Sequence, residues 1–346
     1  MGIKGLNNFL RKKCVGVFNN IELKDLEYKK LAIDISLYMC KYKVVCGDRW
    51  LSAFLNLVKC LRKNNIHCVF IYDTTAPPEK EGEREERRKH KEKLESSVFN
   101  LKNDLEEFYR TGEVSPLLVE TSNNKGFSTT RRLLSNKVPK FQPRIIEEEI
   151  AKKEGQVINI TKKDIIDTKK LFDILKVPYY NAPMEAETMC SELCINGVVD
   201  AVLSEDTDVL AYGTPVFVSK IDTRKETATC VIHKQILEEL DMTKRQFTEL
   251  CIMSGTDYNK NIPKVGPMNS YKLLQKHGSI DEIKENTKYD VGILNHKRGL
   301  ELFEEFKKSN LIKIPYCGKP NYEDLEKFLI KKNIYYDINN IKSCFN

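Results

Sequence analysis

Four short apolar, β-branched runs punctuate the chain: LAIDIS at 31–36, HCVFIYD at 67–73, DAVLSED at 200–206 and TPVFVSK at 214–220. Runs of this length, bounded by polar segments, predict buried strands. Between the first two, Leu51, Phe54, Leu55, Val58 and Leu61 recur at helical spacing and give one apolar face. Strand, helix, strand predicts a crossover unit and a parallel sheet. A further helix is predicted over EAETMCSELCING, with Gly197 as its stop.

The pattern breaks between residues 80 and about 165. EKEGEREERRKHKEKLESS has no wide apolar face and predicts a solvated helix held by i to i+4 ion pairs. From Thr121 to Ile146 there is no acidic residue, while Lys125, Arg131, Arg132, Lys137, Lys140 and Arg144 supply six cations. That composition predicts a flexible basic segment suited to a strand of phosphates. Further on, Gly255 ends one helix, Pro267 starts the next, Gly278 ends that one and Ser279 caps a third. The loop DYNKNIPKVG between the first two can offer backbone N–H groups to phosphate.

Acidic residues stand where the strands should end. Asp34, Asp73 and Asp206 lie in or at the ends of predicted parallel strands, and Asp208 follows Asp206 by two. Ligands of open α/β sheets sit outside those carboxyl ends. Two carboxylates about 4 Å apart oppose each other by roughly 4 kcal/mol at an effective dielectric of 20, so such a cluster needs a cation. Oxygen donors without His or Cys select a hard divalent ion, Mg²⁺ first.

The 346 residues are 41% hydrophobic, enough for a substantial core, and the net charge of +7 leans toward a polyanionic partner. Eleven cysteines without a Cys-x-x-Cys pair fit reduced thiols of an intracellular, unsecreted protein, and five histidines at no ligand spacing argue against zinc. No apolar run is long enough to span a membrane, and Leu6 stands where N-myristoylation needs Ser or Thr.

Six motifs in order, MGIKGL, AIDIS, VFIYDTTAPPEKEGEREERR, VPYYNAPMEAETMC, VLSEDTDVLAYGTP and CIMSGTDYNKNIPKVGP, resemble the flap-endonuclease/XPG family of structure-specific 5′-nucleases. The resemblance implies an α/β, PIN-like 5′-nuclease fold: a mostly parallel central sheet flanked by helices, a helical arch or spacer, and a helix-two-turn-helix element. It divides the chain into nuclease core at 1–95 and 166–254, arch at 96–165, helix-two-turn-helix at 255–285 and a C-terminal extension at 286–346. It also implies seven metal-ligating acids, Asp34, Asp73, Glu185, Glu187, Asp206, Asp208 and Asp257, around two Mg²⁺ ions for which Mn²⁺ can substitute, with no protein nucleophile.

By the same resemblance Lys80 and Arg87, with Arg84 or Arg88 as replacements for Arg87, contact the scissile phosphate. Gly2 lies close to the DNA path and Tyr38 stacks on a base at the junction, while Arg131 and Arg132 are expected to bind DNA from the composition of the basic segment, which the resemblance does not cover. Lys264 and Gly266 hold duplex phosphates beside a K⁺ site, with Lys264 standing where the family usually has glycine. The implied activity is Mg²⁺-dependent cleavage of 5′-flap DNA with 5′-exonuclease activity, in replication or repair, by a monomer. A bubble or four-way-junction cutter, an inert DNA-binding scaffold and an RNase on a related PIN-type fold are the rival readings. The interval from Asp73 to Glu185 is longer than in typical flap endonucleases, and no sliding-clamp peptide is evident. A nucleus, a host nucleus or a cytoplasmic replication site is the expected location, and richness in Lys, Asn and Ile fits an AT-rich genome such as that of a large DNA virus.

Overall fold

The computed structural model describes residues 2–125, 141–304 and 308–345. It divides into two compact units, one of residues 1–42, 46–81 and 160–346, the other of residues 43–45 and 82–159. In chain order the elements begin with α1 (Leu6–Lys13), β1 (Asn19–Glu22), β2 (Lys30–Asp34), α2 (Ile35–Cys46), α3 (Trp50–Lys63) and β3 (His67–Tyr72). There follow α4 (Glu81–Thr111), α5 (Pro116–Lys125), α6 (Pro143–Gln156), α7 (Lys162–Leu175), β4 (Tyr179–Asn181), α8 (Ala186–Ile195) and β5 (Ala201–Leu203). Next come α9 (Asp208–Ala211), β6 (Val216–Asp222), β7 (Thr227–Ile232), α10 (His233–Leu240) and α11 (Lys244–Ser254). The chain closes with α12 (Pro267–His277), α13 (Ile280–Asn286), α14 (His296–Glu304), α15 (Tyr322–Lys331) and α16 (Ile338–Lys342).

The first unit is built on a seven-stranded mixed sheet of order β1-β7-β6-β5-β2-β3-β4. Strands β4, β3, β2, β5 and β6 pair in parallel, whereas β7 and β1 add antiparallel at one edge. Side chains of successive strand residues point to opposite faces, and the two cores follow that alternation. Ala32, Val69, Ile71 and Val202 join one core with Leu6, Met189 and Leu250. Leu31, Ile33, Phe70 and Leu203 join the other with Phe54, Phe172 and Phe328. There Phe70 and Phe172 stack with ring centroids 4.1 Å apart.

Register decides where the acids fall. Ile33 pairs with both Phe70 and Leu203, and Asp34 pairs with Ile71. Asp34 therefore closes β2, Asp73 stands just past β3, and Asp206 and Asp208 follow β5. All four sit at the carboxyl ends of neighbouring parallel strands, where the crevice of such a sheet opens.

The second unit carries its own small core of Leu101, Leu105, Leu118, Ile146 and Ile150. Its main helix, α4, runs 31 residues. The boundary expected between residues 95 and 96 thus falls inside a continuous helix, because Leu101 and Leu105 give its second half the apolar face that its first half lacks. The segment from Thr121 to Ile146, expected to be flexible throughout, is helical at both ends: α5 continues to Lys125 and α6 begins at Pro143, with proline in the first helical turn. Arg131, Arg132, Lys137 and Lys140 lie outside the described residues.

Candidate active site

The site starts at the junction of β2 and α2. Asp34 accepts the Ser36 backbone N–H at 2.8 Å, and the Ser36 hydroxyl donates to Asp73 at 2.5 Å. The other Asp73 oxygen accepts the Ala186 N–H at 2.7 Å. That bond pins the start of α8, where Glu185 is the N-cap residue and Glu187 sits in the first turn. A helix N-terminus favours negatively charged side chains, and both glutamates stand at one.

A buried lysine joins the second group. Lys80 is 9% exposed, and its Nζ lies 2.6 Å from Glu185, 2.9 Å from Glu187 and 3.8 Å from Asp257. Burial alone would lower the Lys80 pKa, but Glu187 and Glu185 outweigh it and hold the ammonium form above the ordinary lysine range. The second Glu185 oxygen accepts the Tyr258 hydroxyl at 2.8 Å, and that hydroxyl also lies 2.5 Å from the hydroxyl of Tyr212.

The third group is the loop after β5. Asp206 bonds the Asp208 backbone N–H at 3.1 Å, and its own N–H is held by the Ser204 hydroxyl at 3.0 Å. The first of these bonds fixes the Asp206 carboxyl, and the Asp208 side chain is buried beside it. Ligand oxygens of Glu187, Asp206 and Asp208 all lie within 4.8 Å of one another. Asp208 is 1% exposed, and neither of its carboxyl oxygens has a hydrogen-bond partner among the described residues.

Electrostatics reflect this crowding. Burial, then Asp73, raises Asp34 well above the carboxylate range; burial, then Asp206 and Asp257, does the same to Asp208. Burial is the main cause for Glu187 and for Asp206, both raised. Asp34 also feels Asp206, and Asp206 feels Asp257, so these acids act on one another, and Glu187, Asp206 and Asp208 are the three whose ligand oxygens come together among the described residues. That group offers oxygen alone, and both Asp208 oxygens are buried without a partner among the described residues, which fits a hard divalent cation.

The remaining candidates fall unevenly. Arg84, Arg87 and Arg88 lie on α4 in the second unit, where Arg87 pairs with Glu83 at 2.9 Å and Arg88 with Glu85 at 2.6 Å. Tyr38 must be corrected as the stacking aromatic: it is 0% exposed within the core and its ring packs against Tyr42. Ile35, Tyr38, Met39 and Tyr42 recur at helical spacing, and that stripe is the face α2 buries. In the α11–α12 element, Lys264 has φ 65, so the backbone keeps a left-handed turn without glycine, at a cost of about 1–2 kcal/mol. Gly266 precedes α12, and a Cβ there would meet nothing within 4 Å. Sequence reasoning missed Ser36 and Tyr258, although each lies within two residues of a predicted acid.

Gly2 has φ 89, and a Cβ on it would lie 2.2 Å from Asp206 Oδ1 and 2.9 Å from the Thr207 backbone nitrogen. Gly2→Ala is therefore expected to displace the Asp206 carboxyl and to lower the activity of the site by about 10²-fold. Unchanged rates would show that the close approach does not position Asp206.

The XPG N-terminal domain matches residues 1–94 and the XPG I-region matches residues 176–257. The chain is 32% identical over 345 residues to probable RAD2-like endonuclease 076L of Invertebrate iridescent virus 3, covering 92% of this chain and 88% of that protein. It is 32% identical to flap endonuclease 1 of Lodderomyces elongisporus, over 84% of this chain and 72% of the relative. The catalytic core of Rad2, solved with a DNA substrate, shares the fold at a TM-score of 0.67 and 17% identity, covering 99% of this chain and 98% of that one. The chain belongs to the XPG family of nucleases, together with the flap endonucleases and RAD2-like endonucleases, and is a hydrolase of DNA phosphodiester bonds.

Proposed function

We propose that this nuclease cuts DNA where duplex meets a 5′ single strand, depends on Mg²⁺ with Mn²⁺ as a substitute, and also trims 5′ ends. The observation that carries the reading is the buried acid cluster, above all Asp208 with two unpartnered oxygens. Glu187, Asp206 and Asp208 would hold one ion, with Asp34, Asp73, Glu185 and Asp257 completing the oxygen shell for a pair. Bound there, divalent ions supply Lewis acidity to the phosphate oxygens and acidify the attacking water. The protein's own part is to fix the carboxyl oxygens through Ser36, Ala186 N–H and Tyr258, and to place the Lys80 charge beside the phosphate path.

The likeness to flap endonuclease 1 supports a flap substrate, and the α11–α12 loop would hold downstream duplex through its backbone N–H groups. Potassium at that loop would compete for carbonyls that side-chain amides hold. The Asn261 side-chain amide already donates to the carbonyls of Ile262 and Val265, and that of Asn269 to Lys264. Among the described residues no helix is long and apolar enough to cross a membrane.

Cleavage mapping on flap, bubble, nicked and four-way-junction DNA, with an RNA flap in parallel, tests the substrate. Flap DNA is expected to be cut at least tenfold faster than the rest. Faster cutting of a bubble or four-way junction would replace the flap reading with the corresponding family activity.

A further inference from the structure

A cavity of about 160 Å³ opens between α1, the loop that carries Asp206 and strand β6. Leu10, Phe18, Leu210 and Phe217 form its apolar wall, and Ser219 and Thr207 add polar atoms. Thr207 is 7% exposed, and its hydroxyl has no hydrogen-bond partner among the described residues. The volume is below the roughly 300 Å³ at which pockets begin to enclose drug-sized ligands, so it suits one planar base and not a whole nucleotide.

Two cations line the same cavity. The Arg11 guanidinium lies 4.1 Å from the centre of the Phe18 ring and is steadied by an Nε–H bond to Asn7 at 3.0 Å. Lys220 reaches the cavity because β6 is irregular: its register with β7 shifts between Ser219 and Asp222, and Lys220 takes φ 51. In a regular strand Ser219 and Lys220 would face opposite sides; here both line one cavity. A left-handed lysine costs about 1–2 kcal/mol, and strain of this kind gathers at binding sites. Glu205, also in the lining, is paired with Lys41, which leaves the two cations to meet an anion.

We propose that this cavity receives one unpaired nucleobase of the DNA substrate, with the attached phosphate at Arg11 and Lys220. Glu205 and Thr207 flank the metal-ligating Asp206, so the occupant is a nucleotide close to the bond that is cut. The inference rests on the nuclease reading above and adds a subsite to it. Contact with an apolar wall of Leu10, Phe18, Leu210 and Phe217 is tolerant of base identity, so the subsite registers the presence of a base more than its type.

The test uses 5′-flap DNA carrying 2-aminopurine, or an abasic residue, at successive positions across the junction. One position is expected to change fluorescence when the parent protein binds in EDTA, and removing the base there is expected to slow cleavage about tenfold. Ser219→Leu, which fills the cavity, and Phe18→Ala, which strips its wall, should each abolish the signal and the position dependence together. If Ser219→Leu fails to fold, Phe18→Ala and the abasic series on the parent decide. A flat abasic profile, or a signal that the folded variants keep, overturns the inference. A parent that binds but cuts no fully based flap overturns the nuclease reading instead.

Discussion

Asp208→Asn is expected to lower divalent-dependent cleavage by about 10³-fold while raising the melting temperature of the metal-free protein. The two effects have one cause. Asp208 is enclosed, its two oxygens lack partners, and the nearby carboxyls of Asp206 and Asp257 oppose its charge. Without a cation the charged form destabilises the fold, and each unit of upward pKa shift corresponds to about 1.4 kcal/mol. A carboxyl raised in the folded state binds more protons folded than unfolded. Its contribution is complete below the unfolded value near 3.9 and is lost as pH rises through the folded value. Asp34, Glu187 and Asp206 are raised as well and act in the same sense. The metal-free parent should therefore melt at progressively lower temperature from about pH 4 upward, and the Asn variant should lose less. Thermal melts in EDTA from pH 4 to pH 8 read this directly; a variant less stable than the parent at pH 7 would contradict it.

The second large effect concerns Lys80. Its ammonium is the cation that the described residues themselves place among Glu185, Glu187 and Asp257. Removing one partner of a buried ion pair leaves the others uncompensated, at about 3–5 kcal/mol. Lys80→Met keeps the length and apolar stem but removes the charge. In EDTA its melting temperature should fall by more than 5 °C, on the scale of a few kcal/mol for a chain of this size. Added Mg²⁺ should restore most of that loss, because a divalent ion can neutralise the same carboxyls. Cleavage should still drop about 10²-fold, since a cation beside the phosphate path is gone. A metal-free melt equal to the parent's would show that Lys80 does not hold the acids together.

Legibility in the sequence followed burial. Strands β2, β3 and β5, and the first half of β6, are covered largely on both faces and read as continuous apolar runs, so all four were visible. Strand β1, NNIE, is mostly exposed, and β4 has three half-buried or exposed residues, so neither carries a pattern to find. The acids were legible because strand ends fix them; the groups that orient them, Ser36 and Tyr258, carry no periodic signal. Tyr38 is taken as the stacking aromatic from its position after AIDIS in the resemblance, whereas the helical spacing of Ile35, Tyr38, Met39 and Tyr42 puts it on the face that α2 buries. The length of α4 was hidden because ion pairs dominate its first half and its few apolar anchors come late.

The central claim is that the clustered acids need a hard divalent cation to break DNA. The most direct measurement follows cleavage of one 5′-flap DNA across a Mg²⁺ titration, with an EDTA control, for the parent and for Asp206→Asn, while binding of the same DNA is measured in Ca²⁺. The account predicts saturable Mg²⁺-dependent cleavage that leaves a 5′-phosphate in the parent, loss of cleavage in Asp206→Asn, and equal DNA binding by both. Cleavage that persists in EDTA, or an Asp206→Asn variant that cuts as fast as the parent, would contradict it.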